Sequence, residues 1–348
     1  MLLHNLGGLF TGDAGAPTSG VDAIGIRDGV IVAPSEAAGT ARLDARGGWA
    51  MPGLWDGALN LYFGDHTPTL SATGALAASV GFGVTSVVAP RPAPVPGAVA
   101  TARFQRELAV LTMKSWVHDR PRGLHVHTSA VTGHPEWDAE DLQDLAACGA
   151  DLLFLPAALA PDDALRLAKD ARDAGMRIGL ALGGADAVDP VALDDLLVAA
   201  RPELAAPVNA AGLPVGVVDR LVAADGLALG LVLTGDLAVA ARVCRACVER
   251  GEPGRPFLGT GTPDDRGVLP AGMALLVDVL GAAAQLPPAL MVAMASGNVA
   301  RAFGRPGGQL VPGQPADVVV LGGDGGFVSP WLHRPAATLI DGRPEETG

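Results

Sequence analysis

The sequence predicts an α/β protein: a (β/α)8 TIM-like barrel with a small β-sandwich domain formed by the two chain ends. Three observations point there. From Pro52 to Gly304, short apolar runs alternate with amphipathic segments eight times, and roughly 250 residues is what such a barrel needs. Both ends read instead as short strands separated by turn residues. The 348 residues are 49% apolar but only 4% aromatic, so the large core that this length allows is built from Ala, Val and Leu.

The elements follow in order. LLHNLGGLF from Leu2, DAIGIRDGVIV from Asp22 and ARLDARGGWAM from Ala41 are strands, and Arg27-Asp28-Gly29 is a hairpin turn. The segment containing position 58 makes the first barrel strand. The next seven are GVTSVVAP from Gly83, GLHVHTSAV from Gly123, ADLLFLP from Ala150, RIGLAL from Arg177, LAAPVNA from Leu204, GLALGLVLT from Gly226 and PFLGTGTP from Pro256. Helical runs between them include AEDLQDLAACG, PDDALRLAKDARDAG, DPVALDDLLVAA and AVAARVCRACVERG. After Gly304, GQLVPGQPADVVVLGG and AATLIDGRP return to strand texture. The division is therefore 52–304 for the barrel, with 1–51 and 305–348 for the β-domain.

Several function classes drop out early. A formal charge of −13 with no basic stripe argues against nucleic acid. No apolar run approaches the length of a membrane span, and the opening residues lack a basic leader, so the expectation is a cytoplasmic protein. Three cysteines suit a reducing compartment, and Cys244 and Cys247 share one face of a helix, where they pack. No Gly-x-Gly-x-x-Gly follows the first strand, and neither a nucleophile elbow nor a Ser-x-x-Lys is present.

Particular residues carry a resemblance. Leu43-Asp44-Ala45-Arg46-Gly47 and Pro52-Gly53-Leu54-Trp55-Asp56 resemble the opening segment of the amidohydrolase superfamily, and Leu310 to Val320 resembles its closing segment. HNLGGLFTGD, GLHVHTSAV, VNAAG, GTGTPDDRGVLPAG and MASGNVARAFG are similar to the enamidase type, whose members hydrolyse a cyclic enamide. The resemblance implies a metal site at the carboxyl ends of the barrel strands. There, imidazoles and carboxylates hold ions that acidify a bound water.

The ligand positions that the resemblance implies are occupied by other residues. The His-x-His of strand one falls on Ala58 and Asn60, and the bridging acid falls near Leu155. Two further histidines fall on Ala181 and Pro207, and the aspartate of the last strand falls on Gly261. Only Asn60 offers an oxygen, and a weak one. Lys114 and Lys169 lie in helical or loop context, away from any strand end. The expectation is no metal, no cofactor and no catalytic residue.

Other groups have both a functional and a plain reading. His125 and His127 share a strand face and look like a displaced His-x-His, yet the expectation is hydrogen-bonded or pocket-lining histidines and not metal ligands. His66 follows Gly64-Asp65 in a loop and reads as a solvated turn residue, while His118, His134, His4 and His333 have no ligand-spaced neighbour. Asp56, Tyr62, Asn209, Thr260, Thr262 and Asp264 are expected to edge the barrel mouth together with the two histidines. Asp162-Asp163 reads as helix-start or solvated acids. The first functional expectation is a catalytically inactive, metal-free barrel. It would serve as a structural or regulatory subunit with an active relative or a pathway enzyme, in an oligomer. The alternatives are a small-molecule binding protein using the mouth, and a hydrolase of cyclic amides with relocated catalytic groups.

Overall fold

The computed structural model describes residues 1–37, 39–61, 72–89, 101–116, 120–183, 190–262, 267, 269–322 and 335–345. The chain starts with seven short strands: β1 (Leu2–His4), β2 (Gly8–Phe10), β3 (Thr18–Ser19), β4 (Ala23–Arg27), β5 (Val30–Val32), β6 (Arg42–Asp44) and β7 (Trp49–Pro52). The expected hairpin joins β4 to β5, with Asp28 and Gly29 both at positive φ (51° and 78°), as a two-residue turn of matching twist requires.

Parallel strands and helices then alternate. They run β8 (Leu54–Asp56), α1 (Ala72–Val80), β9 (Val84–Val88), α2 (Ala102–Trp116), β10 (His125–His127), β11 (Ala130–Thr132), α3 (Ala139–Ala147), β12 (Leu152–Pro156) and α4 (Pro161–Asp173). The alternation continues through β13 (Arg177–Ala181), α5 (Pro190–Ala200), β14 (Leu204–Ala206), α6 (Val215–Ala223), β15 (Ala228–Val232), α7 (Leu237–Glu249) and β16 (Pro256–Gly259). Three helices, α8 (Gly272–Ala284), α9 (Pro288–Met294) and α10 (Gly297–Ala302), lead to β17 (Val318–Val320), β18 (Ala337–Ile340) and β19 (Arg343–Pro344).

The helix starts are chemically specified. Asp138 accepts from the backbone of Glu140 and Asp141 while Asp141 accepts from Asp138 N–H, a reciprocal cap for α3. Asp236 caps α7 through Ala238 and Val239. Asp162 and Asp163 sit in the first turn of α4, favourable for acids at the positive end of a helix dipole.

All pairings among β8 to β16 are parallel, in two sheets: β10-β9-β8 and β11-β12-β13-β14-β15-β16. The predicted strand from Gly123 to Val131 is divided at Thr128-Ser129, where Ser129 Oγ donates to Asp151 Oδ1 (2.7 Å) and accepts from Arg305. The first strand is also shorter than expected, ending at Asp56 and not at position 58. Where the first and last strands meet, Gly57 N–H donates to Leu258 O (3.0 Å), Gly261 N–H to Ala58 O (2.8 Å) and Asn60 N–H to Thr262 O (3.0 Å).

Side-chain alternation separates two cores. Leu153, Leu155, Ile178, Leu180, Leu229 and Leu258 pack against the helices. Trp55, Val88, Leu152, Phe154, Leu204 and Phe257 form the inner face, closed off by Val299, Ala300 and Phe303 of α10 and its end. Period-two burial on both faces explains why these strands read as near-continuous apolar runs. The chain ends form two further sheets, β5-β4-β1-β6 and β19-β18-β17-β7-β2-β3, which share a third apolar cluster that includes Leu3, Ile24, Ala50, Val318 and Leu339. Cys244 and Cys247 are fully buried in α7, and burial pushes both thiols up in pKa, so they pack as small apolar groups.

Candidate functional site

The carboxyl ends of the parallel strands carry the positions that the resemblance singled out. Ala58 and Asn60 lie just beyond β8. The Asn60 amide donates from Nδ2 to Gly261 O (2.9 Å), so two of the six positions are bonded to one another. Ala181 ends β13 and packs against the inner cluster, as does Ala206, which precedes Pro207. Leu155 needs a correction. Its side chain is fully buried on the helix-facing side, and the inward residue next to it is Phe154. A ligand at this strand end would have to come from the inward register, where Phe154 brings no donor either.

Gly261 has a backbone to match its missing side chain. Its φ is +71°, and a Cβ built there would come within 2.3 Å of Thr234 Oγ1. Of the six positions, only Asn60 bears a side-chain oxygen. Hydrocarbon, a pyrrolidine ring and a lone hydrogen at the other five do not fit a divalent ion.

The polar residues expected around the mouth are committed to the wall. Asp56 is 3% exposed; its Oδ1 accepts from Ala58 N–H (3.1 Å) and Thr260 N–H (2.8 Å), and its Oδ2 accepts from Thr260 Oγ1 (2.5 Å). Thr260 Oγ1 in turn accepts from Thr262 Oγ1 (3.0 Å). Burial raises the Asp56 pKa, outweighing the Thr260 and Ala58 hydrogen bonds that lower it. Asn209 is fully buried. Its Nδ2 donates to Val232 O (2.8 Å) and Asp236 O (3.2 Å), and its Oδ1 accepts from Val232 N–H (2.9 Å). Tyr62 and Asp264, like His66, His118 and His333, lie outside the described residues.

The two histidines of β10 hold near-parallel rings 6.4 Å apart but meet different partners. His127 stacks on Trp55 with ring centroids 5.0 Å apart and planes within 7°. Among the described residues, its buried Nε2 has no hydrogen-bond partner. Burial, followed by the nearby charges of Arg305, His125 and Arg120, takes its pKa from 6.5 down to about 4. Its neutral form is therefore the native one. The sign follows: between pH 6.5 and 4 the unfolded chain binds the proton and the native one does not, so this group favours unfolding as pH falls through that window. The cost reaches at most about 3 kcal/mol by pH 4. Urea midpoints of wild type and His127→Phe, compared at pH 7 and pH 4.5, should show a smaller acid-induced drop in the variant; equal drops would remove His127 as the cause.

His125 turns elsewhere. It starts β10 and meets Asp317 and Asp341. Among the described residues, these three form the one group of at least three His, Cys, Asp or Glu with ligand atoms all within 4.8 Å of each other. The sequence had drawn attention to His125 through its pairing with His127. It could not show the carboxylates, which lie about two hundred residues further along.

No protein-family model matches the chain. It is similar to an enamidase from Eubacterium barkeri, with 26% identity over 333 residues that cover 92% of this chain and 86% of the relative. The crystal structure of an enamidase, described as a member of the amidohydrolase superfamily, superposes with a TM-score of 0.87 at 24% identity, covering 100% of this chain and 96% of the other. The chain shares the fold of that enamidase structure and is similar in sequence to an enamidase. The same fold recurs in N-acetyl-D-glucosamine-6-phosphate deacetylase from Mycobacterium smegmatis, with a TM-score of 0.71 at 18% identity over 99% of both chains. These likenesses agree with the resemblance read from the opening and closing segments. Among the described residues, no helix is long and apolar enough to cross a membrane.

Proposed function

We propose that this protein is a catalytically inactive member of the enamidase-like group, serving as a structural or regulatory subunit beside an active relative or a pathway enzyme. In this reading, residues 52–304 form a complete barrel, and 1–51 with 305–348 an appended β-sandwich. The observation that carries it is Gly261. Where the resemblance calls for a catalytic aspartate, the backbone is left-handed and the space for a Cβ is taken. The bonding of Asn60 to that same residue adds support. An empty cage of histidines and acids would carry desolvation and repulsion costs, whereas Ala58, Ala181 and Gly261 pack without any ion. The polar groups that a binding pocket would use, Asn209, Thr260 and Thr262, have their hydrogen bonds inside the wall, so a binding module draws less support.

Two measurements test this together. The purified chain, supplied with zinc, manganese or iron(II), is expected to show no ring opening of a cyclic enamide above the uncatalysed rate. Native mass spectrometry of the untagged assembly from its source cells is expected to show a second polypeptide carrying the full ligand set. Turnover by the chain alone overturns the inactive reading; a homogeneous, partner-free assembly overturns the subunit role.

A further inference from the structure

His125, Asp317 and Asp341 come from three separate segments: the first residue of β10, the residue before β17, and the turn between β18 and β19. Asp317 O accepts from Gly53 N–H (3.0 Å), just ahead of β8. The cluster therefore lies at the amino-terminal ends of the parallel strands, on the seam with the β17–β18 sheet. The carboxyl ends, where this fold class places its chemistry, are at the opposite side.

Its spacing is that of a coordination sphere. His125 Nε2 is 3.2 Å from Asp317 Oδ2 and 3.4 Å from Asp341 Oδ1. Two ligands bound tetrahedrally to zinc at about 2.05 Å stand about 3.4 Å apart. Asp317 is 4% exposed, and its other oxygen, Oδ1, accepts from Asp341 N–H (2.9 Å), which leaves Oδ2 to face the imidazole. Among the described residues, the guanidinium that meets this cluster is that of Arg120, paired with Asp341. Its Nη2 is 3.0 Å from Asp341 Oδ2, 2.7 Å from His125 Nδ1 and 3.3 Å from Nε2. Arg120 also donates to Gly123 O (2.9 Å), and both it and Asp341 line an open cavity of about 1140 Å³ into which the guanidinium can withdraw.

We propose that His125, Asp317 and Asp341 form a divalent transition-metal site of the zinc class, in which Arg120 is the resident cation until an ion displaces it. Two carboxylates and a neutral imidazole match a charge of +2 once the guanidinium leaves. Coordination through Nε2 requires its lone pair to be free, with the ring proton carried on Nδ1. Three protein ligands leave a fourth position for water. Because the site shares no residue with the strand carboxyl ends, it stands or falls independently of the reading above.

The test is a cobalt(II) titration of the full chain after chelator treatment, followed by calorimetry and by the visible absorption of four-coordinate cobalt. Wild type is expected to bind one ion per chain at the seam. Asp341→Asn is expected to weaken binding by about a hundredfold. That variant keeps the fold, because residue 341 sits at φ 49° in a hairpin turn where Asn is at ease. Arg120→Ala, which removes the competitor, is expected to tighten binding by about tenfold. His125→Gln provides a second ligand deletion, with the same loss expected. Absence of stoichiometric binding to wild type overturns the proposal, as do equal affinities for wild type and Asp341→Asn or an Arg120→Ala variant that binds no more tightly.

Discussion

Gly261→Asp is expected to lower the unfolding free energy by about 3 kcal/mol and to restore neither metal binding at the strand ends nor hydrolysis. Two penalties add. An L-residue at φ +71° costs about 1–2 kcal/mol, somewhat less for Asp than for most. Crowding adds about as much, since the new Cβ would meet Thr234 Oγ1 at 2.3 Å, Val232 Cβ at 3.3 Å and Thr234 Cβ at 3.4 Å. The backbone cannot easily step aside, because Gly261 N–H donates to Ala58 O and its carbonyl accepts from Asn60 Nδ2. Gly261→Ala isolates the backbone effect by supplying a Cβ without a carboxylate, and most of the loss should persist in it. Equilibrium urea unfolding measures both. Restoring Ala58→His and Asn60→His alone should leave the chain inactive, and Asn60→His also breaks the bond to Gly261. A Gly261→Asp protein of wild-type stability that took up zinc at the strand ends would show the site to be recoverable, and the proposed loss of function would fail with it.

The strand–helix alternation was legible because each inner strand is buried on both faces and each helix on one, and burial of this kind leaves its period in the sequence. Asp28-Gly29 carries the positive φ angles that the hairpin turn read there requires. That Ala58, Ala181 and Gly261 carry no donor side chain could also be read, since it rests on residue identity alone. Leu155 could not, because a one-residue slip on a strand moves a side chain to the other face, and only the structure fixes that register. The seam cluster was equally hidden: Asp317 and Asp341 meet His125 only through the pairing of the chain ends with the strands around β8. Nor does sequence reveal that Asn209 spends its whole amide on Val232 and Asp236, since exposed and buried asparagines look alike on the page.

The fate of Asp56 separates a structural aspartate from a surviving catalytic one. Its carboxylate joins the end of β8 to the end of β16, taking hydrogen bonds from Ala58 N–H, Thr260 N–H and Thr260 Oγ1. Asp56→Ala strands these donors in a dry wall and is expected to cost about 3–4 kcal/mol. Asp56→Asn keeps an acceptor for the backbone donors, and Thr260 can turn its hydroxyl to accept; it should stay within about 1 kcal/mol of wild type at neutral pH. The pH dependence supplies the signature. Because burial raises the folded pKa above the usual 3.8, the native state holds the proton more tightly than the unfolded chain. The stability that this brings is complete below pH 3.8 and is lost as pH rises through the folded value. Asp56→Asn resembles the protonated form and should lack this decline. Denaturation midpoints of the three proteins across the acid range would decide. If Asp56→Ala and Asp56→Asn proved equally stable, the Thr260 and Ala58 donors would have found water, and the carboxylate would no longer be what binds the first strand to the last.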